Sequence, residues 1–160
     1  MRQRPYHALF LCAQNSARSI LAESIMNKLG KHKCKGFSAG SQPSCKSYPY
    51  ALDLLTNLGH DVTGLRCKSW EEFARPGAPA LDFVFTVCDK TAKEVCPVWP
   101  GQPVTAQWSM PDPSLAEGSE TERRLAFAHT VRMLSISIFL ALPFKSLENR
   151  LAAIGRGSTD

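Results

Sequence analysis

The stretch Leu9-Phe10-Leu11-Cys12-Ala13-Gln14-Asn15-Ser16-Ala17-Arg18-Ser19 decides how this chain is read. A short apolar run ends at a cysteine, five residues follow, then an arginine. A helical pattern starts at once with Ile20, Leu21, Ala22, Ile25, Met26 and Leu29. Strand, loop and helix in that order wind a loop between a strand end and a helix N-terminus, where backbone N–H groups converge and the helix dipole adds positive field. Such a cradle suits a tetrahedral oxyanion such as phosphate or arsenate. Ala13, Gln14, Asn15, Ser16 and Ala17 would wall it, and the planar fork of Arg18 would grip two oxygens at once, which a lysine does not do. Cys12 then sits at the floor. Helix N-terminus, arginine and neighbouring hydroxyls all favour the thiolate, so its pKa is expected well below the ~8.5 of a free thiol and the residue is equipped as a nucleophile. The bland alternative, a buried inert cysteine and a surface arginine, is common for cysteine in general. The strand before, the helix after and Ser19 behind the arginine weigh against it.

Outward from this stretch, residues 7–11 read as a buried central strand and 19–29 as a helix capped by Gly30. Residues 34–39 form a second strand. Residues 47–58 form an amphipathic helix with Pro49 in its first turn, Gly59 past its end, and Ala51, Leu52, Leu55 and Leu58 toward the core. A short helical piece spans 70–73. Residues 81–87, rich in β-branched and aromatic side chains, make a third strand that ends at Cys88, the positional echo of Cys12. An irregular, proline-bearing segment with Cys96 follows, then a fourth strand over 104–110 and Asp112 between two prolines. The capping box Ser119 to Glu122 opens a long helix with a stripe Leu125, Ala128, Val131, Leu134, Ile138 that Pro143 stops, and 145–154 makes a shorter helix. Alternating strands and helices imply an α/β fold with a parallel sheet, and ligands bind such sheets off the carboxyl ends of the strands. Cys12, Cys88 and Asp112 each follow a strand end, so all three are expected above one edge.

A chain of 160 residues supports one domain with a full core, here 1–160 with 143–160 as a C-terminal helical extension. Its longest apolar run, 136–142, is far short of the ~20 residues a spanning helix needs, so no membrane span is expected. Met1-Arg2-Gln3-Arg4 mimics the start of a secretion signal, but the apolar part is short and no small-residue cleavage site follows; a cytoplasmic location is expected. The net charge of +5 comes from dispersed lysines and arginines without interleaved aromatics, which speaks for a small anion rather than nucleic acid. The six cysteines include no C-x-x-C pair, and His7, His32, His60 and His129 are scattered, so neither a zinc ribbon nor another metal site is expected. Cys34 reads as core, Cys45 as a loop thiol and Cys67 as lying near the short edge segment, none with a spacing partner. Trp70, Trp99 and Trp108 read as core or loop anchors rather than pocket rim, and Tyr48 and Tyr50 as surface residues at a helix start.

The motifs resemble the low-molecular-weight tyrosine phosphatase fold, a three-layer sandwich on a four-stranded parallel sheet, and within it the related arsenate reductases. The resemblance rests on residues 12–19, Ile20-Leu21-Ala22-Glu23, Ser38-Ala39-Gly40, Thr86-Val87-Cys88-Asp89, Cys96-Pro97 and Asp112-Pro113. It implies Cys12 as nucleophile, Arg18 as oxyanion clamp, Asn15 as the brace of the loop, Ser19 as hydroxyl donor to the thiolate and Asp112 as general acid. Reductase and phosphatase differ in electron count. Ester hydrolysis needs one cysteine and no redox change; arsenate to arsenite takes two electrons, hence two thiols going to a disulfide. The reductase reading uses Cys88 against the Cys12–arsenic adduct and Cys96 against the resulting disulfide, leaving Cys88–Cys96 for an external reductant, thioredoxin or glutaredoxin, with thioredoxin favoured because an intramolecular disulfide suits dithiol exchange. No cofactor is implied. Seven residues separate Cys88 from Cys96, one more than is usual in the thioredoxin-coupled enzymes, and Ala17 stands where the phosphatases carry a second loop cysteine. Some relatives hold potassium on residues matching Asn15, Glu23 and Ser38; Lys68 stands here where an acidic ligand would be, so no bound metal is expected. Hydrolysis of phosphotyrosine or small esters is the alternative activity, with phosphate or sulfate as analogues at the cradle. A non-catalytic oxyanion-binding module is the third reading, and the intact Cys12, Arg18 and Asp112 set argues against it.

Overall fold

The computed structural model describes residues 5–15, 17–31, 33–43, 47–87, 99 and 102–141. Four strands, β1 (Tyr6–Leu11), β2 (Cys34–Ala39), β3 (Phe83–Thr86) and β4 (Val104–Gln107), form one sheet in the order β2-β1-β3-β4. Every pairing is parallel; Leu11 lies beside Ala39 on one side and Thr86 on the other, and Thr86 lies beside Gln107. The carboxyl ends are therefore level, and whatever follows Leu11, Ala39, Thr86 and Gln107 emerges at one edge.

Both faces of β1 are buried, which is why its sequence is apolar without interruption. Ala8, Phe10 and Cys12 point to a core shared with helices α1 (Arg18–Gly30), α2 (Pro49–Asn57) and α3 (Glu120–Ala141). Leu9 and Leu11 point to a second core with Trp70, Phe73, Leu81, Val84 and Trp99, to which a 3-10 turn (Trp70–Phe73) contributes two buried rings. Phe10, Phe85 and Trp108 stack in the first core, with ring centroids 5.3 Å apart for Phe10–Phe85 and 4.3 Å for Phe85–Trp108. No helix among the described residues is long and apolar enough to cross a membrane.

The elements follow the sequence reading with instructive exceptions. Gly30 is the last helical residue rather than the cap: a Cβ there would run into Cys34 Cβ, so glycine serves the close approach of α1 to β2, and Lys31 takes the left-handed turn with φ 51°. Strands β3 and β4 are shorter than their apolar runs, since Trp108 and Met110 leave the ladder while still donating to Thr86 and Val87 carbonyls. On α2, Ala51 and Leu55 are buried but Leu58 is 46% exposed. On α3 Leu134 and Ile138 are buried as expected, but in the first half of the helix Phe127 and Thr130 are buried in place of Ala128 and Val131, and Leu125 is 66% exposed. Tyr48 and Tyr50 are half-buried rather than mere surface: Tyr48 stacks on Phe127 at 5.1 Å and Tyr50 meets it edge-on at 5.7 Å. The extension over 143–160 lies outside the described residues.

Candidate active site

Cys12 is the first residue past β1 and is buried, its backbone N–H donating to the Ala39 carbonyl at 3.2 Å. The loop that follows turns sharply at Asn15, which adopts φ 50°, a left-handed conformation that asparagine tolerates better than most residues. Asn15 is fully buried and both ends of its amide are used: Nδ2 donates to Ser19 Oγ at 2.8 Å, and Oδ1 accepts the Lys68 backbone N–H at 2.9 Å. The expected brace is thus concrete, tying the loop to α1 and to the 66–70 strap. Ser19, also fully buried, accepts from Asn15, so its own hydroxyl proton is left to serve as a donor.

Arg18 opens α1 and turns to the opposite side of the cradle. Its Nη1 donates to the Met110 carbonyl at 3.0 Å, and its Nη2 lies 3.4 Å from Asp112 Oδ2. Asp112 caps the 3-10 turn Pro113–Leu115: its Oδ1 accepts from Ser114 N–H at 2.9 Å and Ser114 Oγ at 2.7 Å, which turns Oδ2 toward the arginine. The side chains of Arg18 and Asp112 are 14% and 25% exposed, shielded from bulk water but within reach of a small anion. Arginine and carboxylate from elements 94 positions apart in sequence therefore share one edge with Cys12, as the level strand ends require. Ala13 and Ala17 are buried in the first core and Gln14 is exposed at the loop crest. Ser16, Cys88 and Cys96 lie outside the described residues; Val87, just before Cys88, is buried and donates to the Leu11 carbonyl at 2.9 Å.

Two supports of the site, the close approach of Gly40 and the Met110 carbonyl, were not singled out from sequence, whereas a third, Lys68, was. Gly40 packs so tightly under the loop that a Cβ would collide with the Cys12 and Ala13 carbonyl oxygens; its N–H donates to the Lys68 carbonyl and its carbonyl accepts from Trp70. The Met110 carbonyl anchors Arg18. Lys68, expected in place of an acidic ligand and as the positive charge that potassium supplies in some relatives, is a hub: its Nζ reaches the Ser38 carbonyl and the Arg66 carbonyl, each at 2.9 Å, and Glu23 Oε1 at 3.5 Å. Glu23 accepts from Ser38 Oγ at 2.6 Å. Burial pushes the Lys68 ammonium below its ordinary pKa, with Glu23 pulling the other way. The Ser38-Ala39-Gly40 motif was the available signal for the first of these; carbonyl anchoring leaves none. Among the described residues no group of His, Cys, Asp and Glu side chains is placed to hold a metal.

A buried cysteine at a strand end, an arginine docked against a carboxyl group and a loop braced by a buried asparagine stand together on a four-stranded parallel sheet. The model of the low molecular weight phosphotyrosine protein phosphatase family matches residues 7–148. The chain belongs to that family. Within reach of it are reductases: the arsenate reductase of Oceanobacillus iheyensis is 30% identical over 118 residues, which is 74% of this chain and 81% of that protein. The glutaredoxin arsenate reductase of Synechocystis sp. is 30% identical over 105 residues, 66% of this chain and 76% of that one. Among solved structures, one described as an arsenate reductase in the phosphate binding state aligns with a TM-score of 0.64 at 25% identity, covering 84% of this chain and 97% of that chain. The sheet order and helix placement described above are thus those of a family fold that carries both phosphatases and arsenate reductases.

Proposed function

We propose that this chain reduces arsenate to arsenite, with the Cys12 thiolate as nucleophile. The observation that carries the reading is the site's combination of a strand-end cysteine with an arginine already docked against a carboxyl group, in a chain 30% identical to an arsenate reductase across 81% of that protein. The loop N–H groups and Arg18 hold the oxyanion, and the arginine stabilises charge as it grows on the oxygens. Cys12 sulfur bonds to arsenic while one oxygen leaves as water on a proton from Asp112. Cys88 thiolate then attacks Cys12 sulfur; the sulfur–arsenic electron pair stays on arsenic, which departs as arsenite, and a Cys12–Cys88 disulfide remains. Cys96 attacks Cys88, frees Cys12 and leaves Cys88–Cys96, which an external dithiol protein reduces. Three thiols pass two electrons without a metal or an organic cofactor. Thioredoxin is the proposed donor, and a glutathione and glutaredoxin route is the competing one. Such thiol chemistry belongs in a reducing compartment, here the cytoplasm.

Cys12, Arg18 and Asp112 alone suffice to hydrolyse a phosphate ester, so slow aryl phosphatase activity is expected beside the reduction. The test is arsenate-dependent oxidation of NADPH through thioredoxin reductase and thioredoxin. Turnover in the parent that disappears in Cys12→Ser, together with its aryl phosphatase activity, is the expected result. An aryl phosphatase that ignores arsenate, or a Cys12→Ser protein that still turns over, would overturn the proposal.

A further inference from the structure

Helix α3 carries a second seam that nothing in the catalytic scheme uses. Its inward side chains, Phe127, Thr130, Leu134 and Ile138, are buried in the core. On the outward side Glu122, Leu125, His129, Arg132 and Ile136 are all exposed, Leu125 by 66% and Ile136 by 54%, and they recur at spacings of three, four, three and four residues. That is the spacing of a helix–helix seam. Glu117, Glu122, Leu125, Ala128, His129 and Arg132 line a shallow groove of about 600 Å³ along it. Small Ala126 and Ala128 flank the stripe, so a second helix backbone can approach closely.

The charges along the seam choose the occupant. Acid lies at the N-terminal end in Glu117 and Glu122, and base lies nearly three turns on in Arg132; Arg132 forms no ion pair with a described residue. A face that is acidic at one end and basic at the other complements itself when turned end for end, which is the requirement of a two-fold contact. We infer that the outward face of α3 is the interface of a homodimer, two α3 helices packing antiparallel with Glu122 opposite Arg132 of the partner subunit and Leu125 opposite His129 of the partner subunit. In that register Ile136 of the partner subunit falls beside Gly118, next to Leu115, which is 75% exposed. A parallel pairing would set like charges together and is disfavoured. The seam is only about three to four turns long, so the contact belongs with small, weak and transient interfaces.

Sedimentation of the full chain under excess phosphine reductant, from about 5 to 500 μM, reads this directly. The parent is expected to move from monomer toward dimer across that range, less steeply in high salt. Arg132→Glu and Glu122→Arg should each raise the dissociation constant at least ~10-fold, since in a two-fold dimer either substitution replaces both symmetry-related ion pairs by repulsion. An equal mixture of the two variants should associate again, because a subunit with two arginines then faces one with two glutamates. Glu122 also closes the capping box with Ser119, so circular dichroism checks that the helix survives, and the Arg132→Glu protein, altered only at an exposed side chain, keeps the test decisive if it does not. A parent monomeric throughout, association untouched by either reversal, or a mixture no better than its components would each overturn the interface.

Discussion

Arg18 is held before any substrate arrives, one nitrogen on the Met110 carbonyl and the other facing Asp112. A guanidinium fixed this way needs little reorganisation when an oxyanion enters, and that is where electrostatic catalysis gains most. Arg18→Lys keeps the charge and loses both the fork and the Met110 anchor; kcat/KM for arsenate is expected to fall ~10²–10³-fold. Unchanged sulfate binding and turnover in that variant would remove the clamp role. Asp112 has a divided carboxylate, Oδ1 spent on Ser114 and Oδ2 left toward the cradle. Asp112→Asn retains much of this geometry without a transferable proton, so the step that expels water or an alcohol should slow ~10²–10⁴-fold. The limb of the pH–rate profile that requires an acid should vanish with it; a profile of unaltered shape would assign the proton to another group.

At the scale of elements, the loop is stabilised from below. The strap 66–70, strand β2 and helix α1 meet through Lys68, Gly40, Asn15 and Glu23, and each link is a hydrogen bond or a steric fit already described. Gly40→Ala would force its Cβ into two carbonyl oxygens of the loop, an overpacking expected to cost about 1–3 kcal/mol of stability, and more activity than stability because the displaced atoms belong to Cys12 and Ala13. Urea unfolding and an arsenate assay on the same preparation check both halves. The Lys68 ammonium fills the space between Glu23, Ser38 and the Arg66 carbonyl, so activity should be nearly indifferent to exchange of potassium for sodium at fixed ionic strength; several-fold activation by potassium would contradict that. Farther down α1, Ser24 Oγ lies 2.7 Å from His60 Nδ1, and burial first, then the Lys28 charge, holds the His60 pKa below 6.5. Between the lowered folded value and 6.5 the unfolded chain binds more protons than the folded one, so this group's contribution makes stability rise with pH and fall as pH drops below 6.5. The urea midpoint of His60→Gln relative to the parent should therefore improve between pH 7.5 and pH 5.5; a difference constant with pH would show that His60 titrates alike in both states.

For the whole molecule, the division between what the sequence reveals and what it conceals follows the range of the interactions. The strand–loop–helix unit at Cys12 is local: apolar run, turn and amphipathic pattern lie within about twenty-five residues, and the place of Cys12 at a strand end before a helix follows from them. That Asp112 and Arg18 meet follows too, because a parallel sheet brings every strand end to one edge. What stays hidden is anything fixed by a helix's rotation or by backbone atoms. Leu125 fits a core stripe by spacing alone, yet it is Phe127 that is buried, packed against Tyr48 and Tyr50 from a distant part of the chain. Tyr48 and Tyr50 gain their burial from Phe127, nearly eighty positions away, and the Met110 carbonyl that anchors Arg18 has no side-chain identity to read. Gly40 betrays a close approach by being glycine, without saying to what.

The central claim is that two electrons leave through Cys12, Cys88 and Cys96 rather than a phosphoryl group passing through Cys12 alone. One turnover with a stoichiometric amount of arsenate and no external reductant, quenched by alkylation and mapped by mass spectrometry, tests it most directly. The account predicts one arsenite released per chain and a Cys88–Cys96 disulfide, with Cys12 alkylated; in Cys96→Ser the bond should stop at Cys12–Cys88, while slow aryl phosphate hydrolysis stays close to the parent's. Six alkylated cysteines and no arsenite would contradict it, and would leave the chain a phosphatase with an oxyanion site that arsenate merely occupies.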